Sequence, residues 1–126
     1  MASIFTDGAN VVGFDGSQVN GRAAIESEMT KIFRDHPTGR YIGIVREVRS
    51  LSATTAVLRA VAGMVPPGQS DVNPAVNAVQ TLIAVKGAGG WSIALYQNTP
   101  AAFHGRPEAV EALTRELRKE LHARTR

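Results

Sequence analysis

The stretch from Ala75 to Pro100, AVNAVQTLIAVKGAGGWSIALYQNTP, limits what this chain can become more than any other. Val79, Thr81, Ile83 and Val85 form one alternating face, Gly87 to Gly90 supply a sharp turn, and Trp91, Ile93, Leu95 and Gln97 open the return strand. Period-two alternation on both sides of a glycine-rich turn is the mark of a β-hairpin. A hairpin is marginal by itself, so it needs more strands beside it and a layer packed on its apolar face.

The remaining chain offers both. Tyr41 to Arg49 reads as a strand, Ser50 to Thr54 as a turn, and Thr55 to Val65 as a returning strand that is apolar almost throughout except at Arg59. A strand so uniformly apolar predicts cover on both faces, by helices on one side and by a second copy of the chain on the other. Arg22 to Asp35 has Ile25, Met29, Ile32 and Phe33 at the spacing of one buried helical stripe. Asn20 is placed to cap its start and Pro37 to limit its end. A second helix begins at Pro107, with Val110, Leu113, Leu117 and Leu121 as its apolar stripe and its charges ordered along the helix dipole. Near the start, Ile4 and Phe5 read as the end of a helical piece and Asn10 to Phe14 as a short strand. The turn signals Asp7-Gly8 and Asp15-Gly16 flank that strand, and a short hairpin through Ser17 to Asn20 follows. The Pro/Gly/Ser/Asn stretch Pro66 to Pro74 reads as the mobile loop.

These elements make a single domain over residues 1–126, long enough to bury a core. With no cysteine, disulfides, thiolate nucleophiles and zinc–thiolate sites are excluded. The opening MASIFTDG has no basic or apolar leader, and every long apolar run is interrupted, so the reading is cytoplasmic with no membrane partner. The net charge of +3 raises the question of nucleic acid. The basic side chains near the C-terminus alternate with Glu108, Glu111, Glu116 and Glu120 and form no stripe with aromatic platforms, so no nucleic-acid partner is expected.

The pieces FTDGANVVGFDG, NGRAAIESEM, the strand around Val57 to Val61 and GGWSIALYQNTP together resemble the nuclear-transport-factor-2-like (NTF2-like) superfamily, in its SnoaL-like and DUF4440-like branch. QNTP followed by FHGRPEAVEALTRELR is most similar to the SgcJ/EcaC group of bacterial secondary metabolism. The resemblance implies an α+β cone: a curved, mainly antiparallel sheet of mixed order wrapped around helices, with an apolar pocket inside, a C-terminal helix, and homodimers formed through the sheet face. It also implies a long N-terminal helix, in whose place stands only MASIF.

For chemistry, the ketosteroid-isomerase-like relatives carry a base carboxylate on the short strand before the first helix. The matching position here is Gly13, so that base is not carried over, and Asp15 would serve only in a shifted register. The oxidoreductase label common in the SgcJ/EcaC group requires a nicotinamide or flavin site. Gly87, Gly89 and Gly90 lie between strands rather than at a strand-to-helix turn, so no cofactor is expected. His36, His104 and His122 share no metal-ligand spacing, and no metal is expected; His104 is the one His kept as a candidate. Arg59, alone in an apolar strand, needs a partner, either Glu47 across the strand pair or a ligand oxygen. Tyr41, Gln80, Trp91, Tyr96, Gln97 and Asn98 put polar tips on apolar bodies, the usual lining of a pocket that orients an apolar ligand. Strict alternation places Trp91 with Gln97 on one face and Tyr96 with Asn98 on the other; sequence leaves open which face looks inward.

The expected function is a pocket protein binding an apolar, polyketide-like small molecule as a homodimer. The alternative is a cofactor-independent isomerase, cyclase or dehydratase acting next to a carbonyl, with Asp15 or His104 as base and Tyr96 or Asn98 as oxyanion donor. A third reading is a pure association module with a filled interior.

Overall fold

The computed structural model describes residues 4–35 and 40–124, without the side chains of Met29 and residues 31–35. Six strands make one sheet in the order β2-β1-β6-β5-β4-β3. They are β1 (Phe5–Val12), β2 (Gln18–Asn20), β3 (Arg40–Ser52), β4 (Thr55–Val65), β5 (Ala78–Gly87) and β6 (Gly90–Pro100), with helices α1 (Arg22–Asp35) and α2 (Pro107–Arg124). Only the β1–β6 pair is parallel; every other neighbour is antiparallel. The sheet is therefore mixed and has two edges, β2 and β3.

The hairpin read from Ala75 to Pro100 forms as β5 and β6, and Gly90 takes φ +106, a backbone state open to glycine. One detail of its register matters for the site. Ile83 pairs with Leu95 while the next residue, Ala84, pairs with Ile93, so Ala94 is an extra residue bulged out of β6. Two residues of β6 oppose one step of β5, and the alternation inverts there. Trp91 and Ile93 consequently share a face with Tyr96 and Asn98, and strict alternation, which groups them with Leu95 and Gln97, fails at Ala94.

The two helices lie on opposite faces. On one, the α2 stripe Leu113, Leu117 and Leu121 packs with Ile42, Val61 and Val65, and Leu117 is fully buried. Paired charges hold α2 in place: Arg46 forks onto Glu116 at 2.7 and 2.9 Å, and Arg118 onto Asp71 at 2.9 Å for both bonds. Asp71 belongs to the loop read as mobile. That loop is pinned, because Val72 enters the same core and the Asn73 amide donates to the Met64 carbonyl at 2.9 Å.

On the other face α1 covers β1 and β6. Ile25 packs on Phe5 and Ala9, with Ile93 and Tyr96 against them. Two expectations are corrected here. Phe5 starts β1 rather than ending a helix, since its ring is needed in this cluster, and Asp7-Gly8 sits in an irregular stretch between the Phe5 and Asn10 pairings instead of marking a boundary. Asn20 does not stand as the α1 cap: its Oδ1 accepts from Asn10 Nδ2 at 2.7 Å, and the Gly21 carbonyl accepts the first helical bond, from the Ile25 amide at 3.0 Å. Met29, Ile32 and Phe33 as stripe residues, and His36 and Pro37, lie outside what is described.

Candidate ligand pocket

Register carries the site. Across the α1 face, Val45, Ala60, Gln80 and Asn98 form one row from β3 to β6, and Val48, Leu58, Leu82 and Tyr96 form the next. At the end of this face toward Tyr41 and Met64 lies a cavity of about 180 Å³. Its lining comes from almost every part of the chain: Phe14 from the β1–β2 turn, Tyr41 from β3, Ala62 and Met64 from β4, and Gln80 and Asn98 from β5 and β6. In a flat sheet β1 and β3, four neighbours apart, would be roughly 19 Å from each other at about 4.8 Å per step. Phe14 and Tyr41 line one small cavity, so the sheet must curl around this face.

Small residues make the floor. Ala62 and Ala78 are both buried, and Gly63 adds only backbone. Above the floor stand the amides of Gln80 and Asn98 and the Tyr41 phenol. Gln80 Nε2 donates to the Tyr96 hydroxyl at 2.8 Å. Burial first, and the neighbouring Tyr41 second, hold the Tyr96 hydroxyl above the usual phenol range, so it stays protonated and keeps a hydrogen to donate. Asn98 is different, because its Oδ1 is buried and has no hydrogen-bond partner. Among the described residues, the lining contains no carboxylate, imidazole or ammonium group.

The structure thus lines the cavity with Tyr41, Gln80 and Asn98, ties Tyr96 to it through Gln80 while packing its ring against the Phe5–Ala9–Ile25 cluster, and leaves the other candidates elsewhere. Gln97 pairs with Thr81 on the opposite face and is exposed. Trp91 shares the α1 face but sits at the far hairpin end, beside Lys86. Arg59 lies on the α2 face with its side chain 61% exposed, and its partner is Glu47, 3.8 Å away. Asp15 is a turn residue whose Oδ1 accepts from the Ser17 amide at 2.9 Å; that bond holds its carboxyl below the usual range. His104 is exposed in the loop before α2. Phe14, Ala62 and Met64 were not singled out from sequence; only the curvature of the sheet makes them neighbours.

Two larger hollows, about 500 and 380 Å³, flank Pro74 and Val110 at the start of α2. The charged side chains there are paired, Arg118 with Asp71 and Arg115 with Glu111, and Asn77 Nδ2 donates to Thr114 Oγ1 at 2.9 Å while Asn77 Oδ1 has no partner. Both hollows are grooves beside a helix, whereas the α1-face cavity lies within the curl of the sheet. Among the described residues no cluster of His, Asp or Glu is placed to hold a metal, and no helix is long and apolar enough to cross a membrane.

Comparison with solved structures agrees with this architecture. A cystatin-like-fold domain of unknown function from Nostoc punctiforme PCC 73102 superposes with a TM-score of 0.76 at 24% identity, covering 88% of this chain and 69% of that one. An NTF2-like protein of unknown function from Shewanella oneidensis MR-1 gives 0.63 at 17% identity, covering 78% of each. The fold is NTF2-like. A ketosteroid-isomerase-like protein from Erwinia carotovora atroseptica SCRI1043 gives 0.61 at 18% identity, covering 80% of this chain and 78% of that one. No family model matches the chain, and no curated protein matches it. At these identities the likeness extends to the fold alone.

Proposed function

We propose that this NTF2-like domain binds a small, largely apolar molecule in the cavity on the α1 face. The observation that carries the reading is the cavity itself: about 180 Å³ within the curl of the sheet, walled mainly by apolar side chains, with Gln80, Asn98 and the Tyr41 phenol as its few polar groups. The motif resemblance to the SgcJ/EcaC group narrows the guest to a polyketide-like molecule of bacterial secondary metabolism. Two copies of the chain pair through the part of the α2 face beyond the helix, where the row Val57, Ile83 and Leu95 lies beside the row Arg59, Thr81 and Gln97.

A catalytic reading requires a base within reach of the guest. Asp15 and His104 are both outside the lining, so binding is the better supported function. The test is an NMR titration with ethylbenzene, a neutral ring of suitable size. Saturable shifts confined to Ala62, Met64, Val76 and Ala78, and abolished by Ala78→Phe, are the expected result. Absence of saturable binding, or shifts that persist unchanged in Ala78→Phe, would overturn the reading. Sedimentation equilibrium tests the pairing: a wild-type dimer that Arg59→Glu weakens supports it, and a monomer at 100-micromolar order of concentration refutes it.

A further inference from the structure

The sheet has an edge at β3, and the later part of that strand is bare: residues 48–52 are all exposed, with Val48 at 66% and Leu51 at 56%, and Val45 before them is 58% exposed. A long edge strand with exposed apolar side chains is a template for another strand. The Gly43 carbonyl shows which way the backbone groups of β3 face. It accepts from Arg124 Nη2 at 2.8 Å, so it points away from β4. In an antiparallel ladder such outward residues alternate with those bonded to the neighbour. Arg46 is an extra residue, because Val45 pairs with Ala60 and Glu47 with Arg59. Stepping from Gly43 across Arg46 makes Val45, Val48 and Ser50 the outward residues, and the two valines, though three apart, both lie on the α1 face. Arg124 closes this stretch at one end, and the second register shift, between Ser50 and Ser52, closes it at the other.

The open stretch is complementary to itself. With Val48 on a two-fold axis, Val48 meets the partner's Val48, Val45 meets the partner's Ser50, and Arg49 lies opposite the partner's Glu47 on the α2 side. Each of these relations off the axis occurs twice, as an isologous contact requires. Opposite charges across a strand pair favour it, and like charges oppose it. Arg46 brings little repulsion, since Glu116 takes both its terminal nitrogens, and the Glu47 carboxylate is held only loosely, 3.8 Å from Arg59, so it can take a second arginine. We infer that two copies of this chain join β3 to β3, antiparallel across Val48, so that the sheet of one copy continues into the next. This contact is separate from the pairing through the α2 face. It is short, and weaker than an interface of standard size.

The chain has no cysteine, so single introduced thiols report the register. In this pairing the two Val48 Cα atoms stand about 5.5 Å apart and the two Ser50 Cα atoms roughly 14 Å. Treated with a two-carbon bis-thiosulfonate linker, Val48→Cys should form the covalent dimer about tenfold faster than Ser50→Cys, although both positions are exposed. Sedimentation equilibrium over a concentration series is the second measurement. Val48→Pro removes an outward N–H and no β3–β4 bond, and it leaves the α2-face pair untouched. The weight-average mass should rise above the dimer in the wild-type protein and stay at the dimer in Val48→Pro. If the α2-face pairing fails, the same contrast starts from the monomer, so the two failures are distinguishable. Equal cross-linking rates at the two positions, no rise in the wild-type protein, or a rise unchanged in Val48→Pro would overturn the β3 pairing. The cysteine pair is decisive even if Val48→Pro does not fold.

Discussion

Replacing Asn98 by Leu should make the empty protein more stable, a sign opposite to the usual effect of changing a half-buried residue. The two side chains branch alike at Cγ, so the change substitutes a methyl group for a carbonyl oxygen that is buried and unpaired. Removing an unmet acceptor recovers its desolvation penalty, about 1–3 kcal/mol. Asn98 as a residue is only partly buried, so the lower figure, about 1 kcal/mol, is the working value. For a domain of this size that is a rise in Tm of about 3–5 °C. Equilibrium urea unfolding with an unchanged m-value would show a true stability gain rather than a change in the unfolded ensemble. Loss of about 1 kcal/mol or more at constant m would mean that Asn98 Oδ1 is satisfied in solution and would refute the sign argued here.

The second buried amide should respond the other way. Asn77 is 1% exposed, its Nδ2 donates to Thr114 Oγ1, its Oδ1 has no partner, and its backbone carbonyl accepts from the Ala101 amide; Asn77→Leu removes the one side-chain bond, partly offset by removal of the unmet oxygen, so chemical denaturation should show a loss of about 1 kcal/mol. Gly63→Ala would put its Cβ 2.9 Å from Leu117 Cδ1, an overpacking cost of about 1–3 kcal/mol that exceeds the roughly 0.5–1 kcal/mol gained by replacing a strand glycine. In a Leu117→Ala background, itself costing about 2–5 kcal/mol, the same change should become neutral or stabilising, and a double-mutant cycle without that reversal would refute the contact. Arg118 holds the Asp71 carboxyl, and Arg46 the Glu116 carboxyl, below their ordinary ranges. Folded values lower than unfolded ones give stability that is complete above the unfolded pKa values near 4 and is lost as pH falls through the folded ones. Wild-type protein should therefore lose more stability between pH 6 and pH 3 than an Arg46→Met/Arg118→Met variant. The difference should be small and should shrink with salt, because both pairs are about half exposed.

Periodicity made most of the elements legible in the sequence. The Leu113, Leu117 and Leu121 stripe and the two long hairpins are where their spacing puts them, because each has one dominant apolar pattern and a glycine or turn to end it. The failures share a cause: one residue out of step. At Ala94 a single bulged residue moves Trp91 from Gln97's face to Asn98's, and no propensity signals it, since Ala fits either register. At Asp7-Gly8 a turn-forming pair lies within a strand, where the parallel register between Phe5 and Asn10 absorbs the extra residues, so the true start of β1 was hidden. The pocket was half legible. Tyr41, Gln80, Tyr96 and Asn98 announce themselves as polar tips on apolar strands; Phe14 and Met64 join them only through curvature, which depends on the whole sheet.

The two faces of the sheet also divide the work, and one residue belongs to both. Stability concentrates on the α2 face, where the leucine stripe meets Val61 and Val65 and the two arginine forks fasten the helix. The α1 face beyond β6 has small residues as a floor and open apolar positions such as Val48, 66% exposed, an arrangement that contributes little to packing but leaves room. Substitutions in the α2 core should thus change stability and spare affinity, and those on the cavity floor, such as at Ala78, should change affinity most. Gly63 is the exception, because its backbone lines the cavity while the direction of its missing Cβ points at Leu117 on the other side. A side chain there would push α2 away from β4, and any backbone shift that relieved the contact would move the cavity floor. Gly63 is the position at which a packing change must also appear as a binding change.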